Sequence, residues 1–228
     1  MSSAETSSAK APRLYLITDR RATGGRALPD VVAAALRGIA GSALAPAEVA
    51  VQLREKDLSG RALTELGRAL RAVTTAAGVR LYVNDRIDVA RAVDADGVHL
   101  GGASLDVASA ARIAGGLALA ASVHAPAEVA TLRAAAGDRL AFVLLGPIRD
   151  TPSKRAFGPP LGTAAITEAA RIVAPDLPII PILAVGGLAP EHVREVRAAG
   201  AHGVACIRAV MAAPDPAAAV ETFCQELK

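Results

Sequence analysis

Short apolar runs alternate with longer Ala/Arg/Glu-rich stretches eight times along the chain. The runs lie at 13–17 (RLYLI), 49–54 (VAVQLR), 79–83 (VRLYV), 97–100 (GVHL), 118–123 (ALAASV), 140–145 (LAFVLL), 179–185 (IIPILAV) and 202–207 (HGVACI). Each has the length and continuous hydrophobicity of a strand buried on both faces. Between them, helical patterns fall near 29–41, 59–77, 85–93, 105–114, 126–136, 161–173, 190–199 and 214–227. A strand followed each time by a helix implies a parallel sheet, because parallel neighbours need crossover connections. Eight such units predict an α/β fold, a (β/α)8 TIM barrel in a single domain over 12–228, with 1–11 as a disordered N-terminal tail. The alternative is an open doubly wound sheet, but no GxGxxG stands at a first strand–helix turn.

Local signals punctuate the pattern. Ser59 is placed to cap the second helix, although Ala62 stands where a full capping box would have Glu or Gln. Pro126 and Pro190 suit first turns, and Gly78, Gly137 and Gly200 follow helices as stops. Pro181 is awkward inside a central seventh strand, since it has no N–H to donate.

Composition narrows the class. Apolar residues make up 52% of the 228 positions and aromatics only 2%, which predicts a core of Ala, Val, Leu and Ile. With 25 basic and 22 acidic residues, the net charge of +3 is too balanced to demand nucleic acid. The first eleven residues are small and polar, with no signal-peptide core, and no run is long enough to span a bilayer. These features predict a cytoplasmic protein without a membrane or nucleic-acid partner, and are compatible with a homo-oligomer. Cys206, within the apolar run Gly203–Ile207, reads as a small core residue.

In a barrel, chemistry belongs on the loops after the strands. After the first strand stands Thr18-Asp19-Arg20, and the second ends in Gln52-Leu53-Arg54-Glu55-Lys56. Alternation puts Gln52, Arg54 and Lys56 on one face, beginning inside the barrel, where cations need an anionic ligand or a paired acid such as Glu55. After the third strand, Asn84-Asp85 follows; Asp85 fits either a divalent cation or a helix cap. His99 reads as a hydrogen-bonded core histidine. Ser122 and His124 share a face after the fifth strand, where Ser can donate to an anion; His124 can move a proton or cap the next helix. The sixth junction, 146–160, is long and rich in cations and hydroxyls, among them Thr151 and Lys154; it is a ligand lid or a solvated loop. Gly186-Gly187 and Arg208 follow the last two strands, the place where barrels often cradle phosphate.

Taken together and in order, YLITDR (15–20), VQLREKDLSG (51–60), YVNDRIDVA (82–90), ADGVHLG (95–101), SVH (122–124), GPIRDTPSK (146–154), AVGGL (184–188) and AGAHGVA (199–205) resemble the thiamin phosphate synthase/TenI superfamily. The resemblance implies a barrel handling a thiazole phosphate and, in the synthase branch, a hydroxymethylpyrimidine diphosphate that loses diphosphate as the thiazole nitrogen attacks. It implies that Gln52, Arg54, Lys56, Asn84, Ser122 and Lys154 contact the diphosphate or pyrimidine. Asp85 would hold Mg2+, and Gly187 would lie at the thiazole phosphate. Two positions depart from the synthase pattern: Ser104 stands where HLGQED would supply a second carboxylate, and Ile207-Arg208 where a Ser is usual. The TenI branch instead isomerises a carboxythiazole phosphate with a His at the position of His124. A third reading is a noncatalytic barrel that binds phosphorylated ligands as a regulator.

Overall fold

The computed structural model describes residues 11–136, 139–151, 159–172 and 180–228. Eight parallel strands form a closed barrel in chain order: β1 (Leu14–Ile17), β2 (Val49–Leu53), β3 (Arg80–Asn84), β4 (Gly97–Leu100), β5 (Ala118–Val123), β6 (Leu140–Leu145), β7 (Ile182–Val185) and β8 (Gly203–Cys206). Closure comes from β1, which pairs with β2 through Leu14↔Val49 and with β8 through Leu14↔Val204. The helices are α1 (Leu28–Arg37), α2 (Gly60–Ala76), α3 (Ile87–Ala92), α4 (Val107–Ile113), α5 (Ala127–Ala136), α6 (Gly162–Arg171), α7 (Val193–Ala198), α8 (Arg208–Met211) and α9 (Pro216–Glu226). The (β/α)8 architecture is the one that the sequence rhythm predicts.

The period-2 geometry of each strand divides its side chains between two layers. Along β2, Val49, Val51 and Leu53 pack outward under the helices, while Ala50 and Gln52 point inward. The inner layer corrects the expectation of a purely aliphatic core. Tyr15, Tyr82 and Phe142 meet edge to face at the barrel's centre, with ring centroids 5.1–5.7 Å apart. Such pairs add about 0.5–1.5 kcal/mol beyond their burial. Gly97, opposite Tyr82 in the β3–β4 register, makes room for it: a Cβ there would lie 2.3 Å from the Tyr82 ring.

Ser59 caps α2, its Oγ accepting from the Ala62 N–H at 3.3 Å. Four expectations shift. β7 begins at Ile182 rather than 179, because Pro181 cannot donate to the ladder; its carbonyl instead accepts from Val143 N–H. The third helix begins at Ile87, and Asp85 sits before it with φ 68. The unit after β8 contains a four-residue helix, α8, before α9; one turn is too short to show a period. Ala11, assigned to the tail, is buried, and its carbonyl accepts from His202 at 3.3 Å. Residues 1–10 lie outside the described residues.

Candidate active site

The ends of β1 and β2 are tied together through Thr18. Its Oγ1 accepts from the Arg54 backbone N–H at 2.9 Å. Gln52 is buried on the inner face and donates from Nε2 to Asn84 Oδ1 at 3.2 Å, while its Oε1 has no partner among the described residues. Arg54 is half-buried and Lys56 exposed, both facing one cavity. Alternation turns Glu55 the other way. It accepts from the Arg20 N–H at 3.1 Å and pairs with the Arg20 guanidinium, which in turn grips Asp57 in a bidentate pair at 3.0 and 2.6 Å. Arg54 therefore has no carboxylate partner among the described residues. Burial pushes the Glu55 carboxyl above its ordinary range, against hydrogen bonds from Thr18 and Arg20.

At the end of β3, the Asp85 backbone N–H donates to His99 O at 2.8 Å. The left-handed conformation and the helix start at Ile87 rule out the capping role. Asp85 is exposed to a neighbouring hollow of about 310 Å³ that it shares with Lys56, Asn84 and Ser104. Ser104 turns back on its own loop, Oγ accepting from the Gly101 N–H at 2.7 Å.

His99 is a buried histidine, as expected, but it also forms part of the cavity wall, with Nε2 2.9 Å from Ser122 Oγ. Burial first, and the charge of Arg54 second, hold its imidazolium pKa down to about 3. His124 is exposed at the mouth; its Nδ1 lies 2.7 Å from Gly146 O. A carbonyl only accepts, so Nδ1 carries a hydrogen, and in the neutral tautomer Nε2 has the lone pair. His124 does not cap α5; its backbone N–H is itself held by Glu128 Oε2 at 3.0 Å.

Across the mouth the wall is mostly backbone. After a cis Gly146–Pro147 bond, Ile148 N–H donates to Val185 O and Arg149 N–H to Gly186 O, laying the sixth loop over the end of β7. Gly186 and Gly187 have φ 99 and 64, and a Cβ on Gly187 would lie 2.5 Å from Asp150 O. Only glycine combines that conformation with so close an approach. Thr151 and Arg208 complete this side. Lys154 lies outside the described residues.

The cavity at the carboxyl ends of the strands has a volume of about 440 Å³. Gln52, Arg54, Lys56, Asn84, Ser122 and His124 line one side of it; Thr151, Gly186, Gly187 and Arg208 line the other. Asp85 faces only the adjoining hollow. A further hollow of about 280 Å³, between α2 and α3 outside the barrel, is lined by none of these groups. Sequence reasoning missed the His99–Ser122 bond and the place of Asp19 on the wall. Strand alternation carried the signal for the first: Asn84 pairs with His99 and His99 with Ala120, two residues before Ser122 on the same face. Among the described residues no cluster of three or more His, Cys, Asp or Glu is arranged to hold a metal. No helix among them is long and apolar enough to cross a membrane.

The chain is similar to known proteins over most of its length. A thiamine-phosphate synthase from Roseiflexus castenholzii is 46% identical over 211 residues, covering 92% of this chain and 86% of the relative. One from Methanoculleus marisnigri is 41% identical, covering 92% of each. The solved structure of thiamine phosphate pyrophosphorylase from Pyrococcus furiosus superposes with a TM-score of 0.79 at 32% identity, covering 97% of this chain and 96% of that one. The family model described as thiamine monophosphate synthase matches residues 14–210, and the chain belongs to that family.

Proposed function

We infer that this chain is a thiamine phosphate synthase, a transferase that joins hydroxymethylpyrimidine diphosphate to thiazole phosphate and releases diphosphate. The observation that carries the reading is Arg54: half-buried, without a carboxylate partner among the described residues, and facing the cavity beside Lys56 and Ser122. An unpaired cation in such a place is stabilised by an anion arriving with the substrate.

In this reading the pyrimidine lies over Gln52 and Asn84, where Gln52 Oε1, without a partner among the described residues, accepts from an exocyclic amine. Its diphosphate lies against Arg54, Lys56 and the Ser122 hydroxyl, and the family resemblance assigns Lys154 to the same contact. As the methylene C–O bond breaks, its electron pair leaves with the diphosphate, whose developing charge these preorganised donors stabilise. The thiazole nitrogen then forms the new C–N bond with its lone pair. Thiazole phosphate is held on the opposite wall, by the backbone at Gly186-Gly187 and by Arg208, which orients the nitrogen toward the methylene.

Mg2+ fits the donor set as an ion brought in on the diphosphate. Mg2+ binds through one or two carboxylates together with substrate phosphates and keeps several waters. Asp85 is the carboxylate that would hold it, and the ion would supply charge neutralisation to the leaving group. Ser104, its oxygen already engaged by Gly101, adds little. Under this reading the substrates are small phosphorylated molecules of thiamine biosynthesis and the protein works in the cytoplasm.

One observation favours a second reading, thiazole tautomerase: His124, with Nδ1–H donated to Gly146 O, presents Nε2 to the cavity as a base. One assay separates the two. The pure protein with hydroxymethylpyrimidine diphosphate, thiazole phosphate and Mg2+ is expected to yield thiamine phosphate and diphosphate. Absence of both products, with isomerisation of carboxythiazole phosphate, overturns the synthase assignment.

A further inference from the structure

We propose that His99 is a positioning residue: its Nε2–H donates to Ser122 Oγ and thereby turns the Ser122 hydroxyl hydrogen into the cavity, making Ser122 a one-way donor to the anionic part of the ligand. The inference rests on the reading of this cavity as an anion site and adds the group that orients one of its donors.

The 2.9 Å contact between His99 Nε2 and Ser122 Oγ permits two hydrogen arrangements. In one, Ser122 donates and Nε2 accepts. The hydrogen of the neutral ring then resides on Nδ1, which is buried and has no partner among the described residues. In the other, Nε2 carries the hydrogen and donates, and Nδ1 is left with only a lone pair. A buried N–H without an acceptor is rarer and more costly than an under-used acceptor. The second arrangement is therefore favoured. It leaves the Ser122 hydrogen free to point elsewhere.

Register decides where it points. His99 pairs with Ala120, and Ser122 is the next inward position along β5, one step nearer the mouth. The imidazole thus donates from below and the hydroxyl opens upward, on the wall it shares with Arg54. Burial and the nearby Arg54 keep the ring neutral, so only one of its nitrogens carries the hydrogen.

The same geometry argues against a nucleophilic serine. A Ser–His pair of that kind needs Nε2 as acceptor and a group that orients Nδ1–H. Among the described residues Nδ1 has none. Tyr15 and Phe142 pack near the ring, with centroids 5.8 and 6.4 Å away.

The first test reads the tautomer in the ligand-free wild-type protein, by 15N NMR after histidine labelling. With four histidines in the chain, the His99 signals can be assigned by single substitutions. A pyrrole-type shift at Nε2 and a pyridine-type shift at Nδ1, unchanged between about pH 5 and 8, are expected. The reverse pattern, or an imidazolium, overturns the proposal.

The second test titrates inorganic diphosphate with Mg2+ into wild type, Ser122→Ala, His99→Leu, His99→Gln and the double variant Ser122→Ala/His99→Leu. Loss of a donor to an anion predicts about tenfold weaker binding for Ser122→Ala and for His99→Leu, and no further loss in the double variant. His99→Gln, which keeps an N–H donor, is expected to recover most of the affinity. Additive losses, or unchanged binding in Ser122→Ala, overturn the positioning role. Because the probe is diphosphate itself, the outcome is independent of whether thiamine phosphate is formed.

Discussion

Under the proposed function, the two walls of the mouth would solve the same problem, holding an anion, with different materials. From β2 to β5 the wall is built of side chains: Arg54, Lys56, Asn84 and Ser122, with Asp85 in the adjoining hollow. From β6 to β8 it is built largely of backbone, with Gly186 and Gly187 packed under the sixth loop. Side-chain cations neutralise a large charge that changes during a reaction, which suits a departing diphosphate. Backbone wedged between two loops gives a fixed shape for a charge that does not change, which suits a monophosphate that stays attached. The first wall is expected to govern kcat and the second the KM for one substrate.

Arg54→Ala gives the largest effect if that division is right. It is expected to lower kcat by ~10²–10³ while the KM for thiazole phosphate changes little, since a leaving-group donor is removed. Steady-state kinetics with each substrate varied in turn checks this. A loss confined to KM would break the comparison.

Gly187→Ala tests the other wall. A non-glycine residue at φ 64 costs about 1–2 kcal/mol, and the added Cβ must also displace Asp150 O from 2.5 Å. The loop is expected to shift, raising the KM for thiazole phosphate by ~10-fold or more with kcat at saturation largely retained. Urea unfolding measures the stability cost beside it. An unchanged KM would mean that this wall does not hold the phosphate.

The two walls were also unequally legible in the sequence. Alternation placed Gln52 on the inner face of β2, and carrying the same period past the strand's end at Leu53 led to Arg54 and Lys56 on the same cavity. Glu55 was harder. Its proximity to Arg54 made a pair plausible, yet the pleat turns it toward Arg20, a residue 35 positions away that only the β1–β2 register brings close. Gly186-Gly187 was recognisable as a place without side chains, but what approached it depends on the sixth loop's path over β7. The eight-unit rhythm made the barrel readable. It did not reveal that Tyr15, Tyr82 and Phe142 meet at its centre, since three distant strands contribute one ring each. His99 was read as a core residue because nothing in a single strand announces a partner on the next.

Ser104→Asp sharpens the comparison by adding charge to the first wall alone. It places a second carboxylate beside Asp85, and is expected to tighten Mg2+ binding by about tenfold, since affinity for a hard cation follows the number of charged oxygen ligands. Calorimetric titration of Mg2+ in the absence of substrate gives the readout. Equal affinity in both proteins would show that residue 104 does not reach the ion.

The smallest effect concerns what braces the first wall. Arg20, hydrogen-bonded to Asp57 and aided by Arg21, holds the Asp57 carboxyl down to about 2. A carboxyl with a depressed pKa in the folded state contributes stability above its unfolded value. That contribution fades as the pH falls from about 4 through about 2. Glu55, raised by burial, works with the opposite sign: its contribution is full at low pH and is lost as the pH rises through its folded pKa. Asp57→Asn is therefore expected to be slightly less stable than wild type near neutral pH and indistinguishable from it near pH 2, as followed by denaturant midpoints across that range. Because the pair is exposed, the difference should be small and should shrink further in high salt. Diphosphate affinity should change by less than about threefold, because Arg20 keeps its contact with Glu55 and the Thr18 bond to the Arg54 backbone stays in place. A larger loss would mean that the side-chain wall depends on its outer ion pairs, whereas the glycine wall has its support built into the chain.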